Sequence, residues 1–424
     1  MMWLLLVGLG LASDGDRPYA DPHAPPPYRS VVQERDTTQP AYEGDFSESP
    51  FPHWSRPLPG GRLNSAAHTE LTRPVVVEEG ILVGSAAGDA LYLLDRRDGS
   101  TLRSYPAAAS VESAPLVVGD FLFFSDTGGY SWCYRRDGTE VWRHQGNAPV
   151  LVRPTFSDGR LFVTNVDDLV VALDAQTGTL IWRFQQKPDL TRSAELALYA
   201  APPAAIADDE VLVGFSTGDF VGLDAATGDL QWQMRVGQGR YPDIVAEAAV
   251  TDDLFFVNGY FEPLLAVERS NQQIRWSLPH GSAAAPLLAD VDGQKRLYHP
   301  GTDGRLRAVE ASTGVLIWQW MSDETGALTT PTLTPAGLVV SSSSGTVYLL
   351  DADKGTALWA YKPSRVMEGV TSSPEIAGRQ LLFVSNAGIL YSLLAPKAET
   401  VWPPPSVFEG RRKKKKKKAE TPSE

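Results

Sequence analysis

Residues 168–182 read DLVVALDAQTGTLIW, and residues 218–232 read GDFVGLDAATGDLQW. The same frame returns as GRLRAVEASTGVLIW at 304–318 and GTVYLLDADKGTALW at 345–359, with weaker copies at 90–103, 132–142, 264–276 and 389–402. The position that is Asp in the best copies falls at Asp95, Tyr134, Asp174, Asp224, Glu268, Glu310, Asp351 and Leu394, at spacings of 39, 40, 50, 44, 42, 41 and 43 residues. Eight copies at so even a period predict one solenoid or propeller rather than separate domains.

Each copy has a physical logic. The short apolar run before the acid (Val170, Val171, Ala172, Leu173) fits a strand. Asp-x-x-Thr-Gly is a turn: the Asp oxygen accepts backbone N–H groups, and Gly takes the positive-φ position that closes a hairpin. The following strand carries a Trp eight residues after the acid. Two more strand-like runs precede each frame, usually introduced by a proline, as at Pro115, Pro154, Pro331 and Pro374. Four strands per repeat make a propeller blade, so the expected fold is all-β, an eight-bladed propeller of antiparallel blades. The 37 Gly, 32 Pro and 11 Trp suit that architecture.

A lone blade leaves both faces bare, whereas stacked blades bury each other. Trp142, Trp182, Trp232, Trp276, Trp318, Trp359 and Trp402 are expected to wedge between neighbours, each worth about 3–5 kcal/mol against Ala. Arg103 occupies the Trp position of the first copy, so that blade is expected to be the least well sealed. For ring closure, Phe51 to Leu58, which holds Trp54, is favoured as the outer strand of the last blade. The strand ending at Trp402 competes for that place.

The propeller is thus expected over 51–402. Met1 to Ala12 reads MMWLLLVGLGLA, an apolar run read as a secretory signal over residues 1–13; the alternative is a frayed hydrophobic terminus. Residues 14–50 are Pro-, Asp- and Ser-rich without apolar periodicity, which predicts a disordered tether. Residues 403–424 form a second such segment, where Arg411, Arg412 and Lys413 to Lys418 bring +8. The total charge is −13, so everything else carries −21 and is expected to repel nucleic acid. The lysine run either stays solvated, the favoured reading, or touches anionic lipid or nucleic acid.

The frame G-x-hydrophobic-x-A-L-D-x-x-T-G-x-x-x-W, over roughly 74–402, resembles the pyrroloquinoline-quinone-type propeller repeat. With eight copies and a terminal ILYSLL strand, the chain is similar to the BamB family, the propeller subunit of the bacterial outer-membrane β-barrel assembly machinery. That resemblance implies a non-catalytic periplasmic scaffold associated with the outer membrane. It would bind the POTRA domains of the barrel-forming subunit through loops after the third and fourth tryptophan repeats. The family's Leu-x-Leu-Arg motif falls here on Leu196-Ala197-Leu198-Tyr199, with Tyr199 in place of Arg. Of two family acids in the next loop, Asp243 matches one, and Val245 stands at the other. Leu196, Leu198, Tyr199 and Asp243 are therefore the candidate partner contacts. The best-known members are lipoproteins; the one cysteine here is Cys133, so this chain is expected to be soluble in the periplasm or held by its apolar segment or lysine tail.

The rival classes are a quinoprotein-like scaffold of another envelope complex and a quinone-dependent dehydrogenase. The second typically adds long insertions, a calcium site and often an adjacent cysteine pair. Blades of near-minimal length and one cysteine argue against it, and no catalytic residue, metal or cofactor is expected. Gly214-Phe215-Ser216-Thr217-Gly218 matches a nucleophile elbow, but lies between two strands where an elbow needs a strand-to-helix turn. Asp290-Val291-Asp292-Gly293 resembles the start of a calcium loop; Lys295 at a ligand position makes a plain turn the expected reading. Cys133, beside Trp132 in a strand, is expected to be packed and inert.

Overall fold

The computed structural model describes residues 42–60, 71–188, 200–291, 293–363 and 369–402. Eight four-stranded antiparallel sheets follow one another around a ring. Strands within a blade are lettered A to D in order from the inside. Blades 1 to 7 are continuous in sequence, with blade 3, for example, built from Thr155–Ser157, Arg160–Thr164, Leu169–Asp174 and Leu180–Gln185. The short A strands of neighbouring blades approach one another and line the axis. The A–B and C–D turns define a lower face; the B–C turns and the D–A loops between blades define an upper face.

The repeat residues act as their pattern predicts. Asp174 Oδ1 accepts the N–H groups of Gln176 and Thr177, at 3.0 and 2.8 Å, and Gly178 follows at φ +69°. Asp224 caps Ala226 and Thr227 in the same way, and Asp351 caps Asp353 and Lys354. At Asp95 the Arg97 side chain joins its own N–H in holding the carboxyl down at about 2.

Of the seven tryptophans expected to wedge, Trp402 does not stand at a blade junction; the other six do, each with a specific partner. Indole Nε1 of Trp142, Trp182, Trp276 and Trp318 donates across the blade junction to the carbonyls of Ala175, Ala225, Ala311 and Ala352, at 2.9–3.1 Å. Each acceptor immediately follows the repeat acid of the next blade, so one motif supplies both the turn and the acceptor for its neighbour. Trp232 departs from this rule: its Nε1 donates to Glu210 of its own blade, while its ring stacks on Phe255 of the next at 5.4 Å. Blade 1 is sealed by other means than a tryptophan. The Arg103 guanidinium and the buried Tyr105 hydroxyl both donate to the Arg136 carbonyl of blade 2. This is the equivalent acceptor because Arg135, and not Tyr134 as expected, holds the repeat position there: its N–H bonds the Thr139 carbonyl as that of Asp174 bonds Thr179. The expectation of a poorly sealed first blade is corrected accordingly.

Closure follows the favoured route. Phe51–Pro57 pairs with Ile389–Leu394 as the outer strand of blade 8, whose inner strands are Glu375–Ala377 and Gln380–Val384. Trp54 fills the tryptophan position and donates to the Arg96 carbonyl of blade 1 at 3.1 Å. Arg96 in turn bonds Gln380 and the Ala377 carbonyl, and Arg73 pairs with Glu375 at 3.0 Å. First and last blades are therefore joined by polar contacts as well as packing.

Trp402 does not belong to a blade. Lys397–Trp402 pairs instead with Tyr42–Gly44 in a separate two-stranded sheet, with Tyr42 opposite Trp402. Tyr42–Gly44 and Phe46 thus have defined places in the fold, although they lie in the stretch expected to be tether. The reason is Phe46, a buried anchor in the blade 7–8 core whose carbonyl accepts Trp359 Nε1 at 2.9 Å. One aromatic side chain amid Pro, Asp and Ser suffices, because it lands on an existing core rather than having to form one.

Candidate functional site

The long D–A connections of the upper face, after Trp182 and after Trp232, flank blade 4. The first contains Leu196, Leu198 and Tyr199, which lie outside the described residues. Its described approach, Phe184 to Lys187, borders a groove of about 350 Å³ with Thr217, Asp219, Leu230, Gln233 and Arg235. Gln186 Nε2 donates to Asp219 at 2.8 Å, and Arg235 pairs with the same carboxylate at 3.4 Å. The groove wall is therefore a crosslinked polar seam between blades 3 and 4.

The second connection, Gly237 to Glu247, is held at both ends. Val236 and Gly237 donate to the Gly218 carbonyl, and Ile244 N donates to the Phe215 carbonyl. Ile244 is buried against Gly214, which has no room for a Cβ beside it. Glu262, from the B–C turn of blade 5, accepts the N–H groups of Gln238 and Gly239 at 3.2 and 2.8 Å. Glu247 closes the far end with Arg153 across blade 4 at 2.7 Å.

Asp243, expected as a partner contact, is fully buried, and its carbonyl accepts Tyr260 N at 2.9 Å. It belongs to the interior of the loop. Val245 faces inward as well, lining a cavity of about 300 Å³ at the mouth of the ring axis with Pro203, Ala246, Ala284 and Leu328. The side chains that the loop presents outward are aromatic and basic. Arg240 lies over the Tyr241 ring at 5.6 Å, Tyr241 meets Phe261 at 6.0 Å, and Phe261 meets Tyr260 edge-on at 4.5 Å. Phe261 is 57% exposed.

Sequence reasoning missed Tyr260 and Phe261. The signal was present: blade 5 carries Asn258-Gly259-Tyr260-Phe261-Glu262-Pro263 where other copies turn on small residues such as Ser342-Ser343-Ser344-Gly345. This turn does not need a bulky pair to fold, so the pair marks it as a candidate contact surface.

The other motifs resolve into structure. Ser216 donates through N and Oγ to Asp168 of blade 3, within a strand-to-strand turn. Asp290 Oδ1 accepts Gly293 N at 2.7 Å, as a turn does. Cys133 is buried against Phe123 and Trp142, and burial pushes its thiol up to about 12.

The family model described as "Outer membrane protein assembly factor BamB" matches residues 53–149, 120–292 and 290–413. A protein of that description from Legionella pneumophila (strain Paris) is 30% identical over 205 residues, 47% of this chain and 52% of its own length. The chain thus spans about half the length of this relative. Among solved structures, BamB from Moraxella catarrhalis superposes with a TM-score of 0.65 at 18% identity, covering 80% of this chain and 98% of that one. A quinohemoprotein alcohol dehydrogenase from Pseudomonas putida HK5 superposes with a TM-score of 0.59 at 12% identity, covering 83% and 77%. The structural likenesses establish the propeller fold, which quinone enzymes share. It is the sequence match, running through all eight blades, that assigns the lineage: the chain belongs to the outer membrane protein assembly factor BamB family.

Proposed function

We propose that this protein is a non-catalytic periplasmic scaffold of the outer-membrane β-barrel assembly machinery, holding the POTRA domains of the barrel-forming subunit on its upper face. The observation that carries the reading is the outward cluster of Arg240, Tyr241 and Phe261, on a loop that Glu262 and Gly218 hold in place. Aromatic and Arg side chains on a preorganised backbone are the usual anchors of a protein interface. Leu196 and Leu198, matched to the family's motif, are proposed as further apolar anchors, with Tyr199 as a further contact. Asp243 acts from within, holding the loop's shape.

The acidic body and the basic tail divide the remaining work. The Lys413 to Lys418 run supplies attraction to anionic lipid, about 1 kcal/mol per Lys near the surface, while the body's −21 disfavours adsorption elsewhere.

Affinity capture from cross-linked envelopes, read by mass spectrometry, tests the scaffold. The barrel-forming subunit is expected to be enriched with the wild-type chain. It should be lost with Leu196→Asp/Leu198→Asp and with Tyr241→Asp/Phe261→Asp, both leaving the thermal transition intact. Capture of an envelope complex lacking that subunit by the wild-type bait would overturn the reading.

A further inference from the structure

The outer D strand of each blade is a sheet edge, and seven of the eight carry a feature that discourages pairing. Blades 1 to 5 place Arg103, Arg143, Arg183, Arg235 and Arg275 on theirs. Blade 8 has Pro52 and Pro57. Blade 7 is uncharged from Ala357 to Tyr361, but short, with Lys354 before it and Lys362 after it. Charges, Lys above all, and prolines are the common means of keeping an edge unpaired.

Blade 6 has none of these. Its edge, Leu316–Met321, reads Leu-Ile-Trp-Gln-Trp-Met. Val315 is 61% exposed, Leu316 47%, Ile317 40% and Met321 58%. Among the described residues no strand pairs with its outer side. Arg305 and Arg307 on the adjacent strand are both taken up by Asp303, and Lys354 of blade 7, next to the Gly355 that meets Trp318, pairs with Asp351. Acids bracket the strand. Glu310 is exposed in the turn before it, its carboxylate accepting the Ser312 and Thr313 hydroxyls, and exposed Asp323 after it accepts the Tyr348 hydroxyl.

We propose that the edge of blade 6 is a strand-addition site for an extended polypeptide with an uncharged, alternately apolar centre and basic flanks. Six residues of edge span about 20 Å. Main-chain hydrogen bonds would supply affinity there; the bulge at its start, which the other outer strands share, puts Leu316, Gln319 and Met321 on one face and Trp318 and Trp320 on the other, and beyond it these two rows would select an alternating partner. The acids at either end favour Lys or Arg just beyond the paired segment. That chemistry is the chemistry of an unfolded membrane-barrel strand, whose residues alternate apolar and polar; naming this source rests on the assembly-factor reading above, whereas the edge itself does not.

The test is fluorescence anisotropy of the full chain with a labelled peptide of about ten residues, the length of a barrel strand, alternating in its centre and ending in lysines. Saturable binding is expected, weakened roughly tenfold or more when the same residues are reordered without alternation. Ile317→Lys/Gln319→Lys should weaken it as much with an unchanged thermal transition, and Val141→Lys on the blade 2 edge should leave it alone. Undiminished binding by the double variant, equal binding of the reordered peptide, or sedimentation showing a second copy already seated on the edge would each overturn the proposal. The double variant leaves the upper-face loops intact and should still capture the barrel-forming subunit. A failure of the scaffold reading therefore shows in capture, and a failure of the edge shows in peptide binding.

Discussion

The indole of Trp142 rests on Gly178 of the following blade so closely that a Cβ at that glycine would stand 2.6 Å from the ring. Gly228 meets Trp182, and Gly314 meets Trp276, in the same way. The glycine of Asp-x-x-Thr-Gly therefore serves two purposes: it accepts positive φ, and it leaves room for the tryptophan of the blade before.

Gly178→Ala should accordingly cost more than a turn glycine usually does. A left-handed conformation costs a non-glycine about 1 kcal/mol or more, and overpacking adds about 1–3 kcal/mol. A loss of about 2–4 kcal/mol by urea denaturation is expected. Gly159 has positive φ but nothing near its Cβ position, so Gly159→Ala should show the conformational part alone. Equal losses at the two sites would refute the packing role.

Closure of the ring predicts an asymmetry between two tryptophans. Trp54 is half-buried at the blade 8–1 junction and bonds the Arg96 carbonyl. Trp54→Ala should cost about 3 kcal/mol, towards the low end for a large ring because of its partial exposure. Trp402→Ala changes a strand outside the blades and should cost less than about 1 kcal/mol. Chemical denaturation of both variants decides the matter; a larger loss at Trp402 would mean that the C-terminal strand closes the ring.

Blade 1 offers a test of redundancy. Arg103 and Tyr105 share the Arg136 carbonyl, so Tyr105→Phe or Arg103→Ala alone leaves it one donor and should cost about 1 kcal/mol. The double variant strands a carbonyl at the junction, and its loss should exceed the sum of the two. A double-mutant cycle that closes additively would show that the donors act independently.

His299 predicts the acid side of the stability profile. It is buried with Nε2 3.0 Å from the His280 carbonyl, and its ring faces Arg307, Asp303 and His280. Burial pulls its pKa down from 6.5 to about 4. A histidine held neutral in the fold takes up its proton first in the unfolded chain. Its contribution is therefore fully present above about pH 6.5 and is lost as pH falls towards 4, a change on the order of 3 kcal/mol. His299→Gln should flatten stability against pH across that window. An unaltered slope would assign the acid sensitivity to other groups.

How much of this was legible beforehand follows from the range of the interactions. The eight repeats, the Asp turns, the cross-junction tryptophans and the strand around Trp54 could all be read from local patterns. Each depends on residues a fixed number of positions apart, and a period of about 40 residues makes the chain its own alignment. Three features escaped that reading. Phe46 is a single apolar residue in a polar stretch, and only the fold brings it to Trp359, 313 positions away. Asp243 looks like a surface acid in a loop, but Tyr260 and the closed ends of that loop bury it. Phe261 joins an exposed aromatic and basic cluster only because Tyr241 and Arg240 arrive beside it from the preceding loop. Periodicity declares the blade because a blade is a local object stabilised by identical neighbours. The surfaces proposed for binding lie where different loops meet or where one edge lacks the charges and prolines that flank or occupy the others, and those are properties of the closed ring.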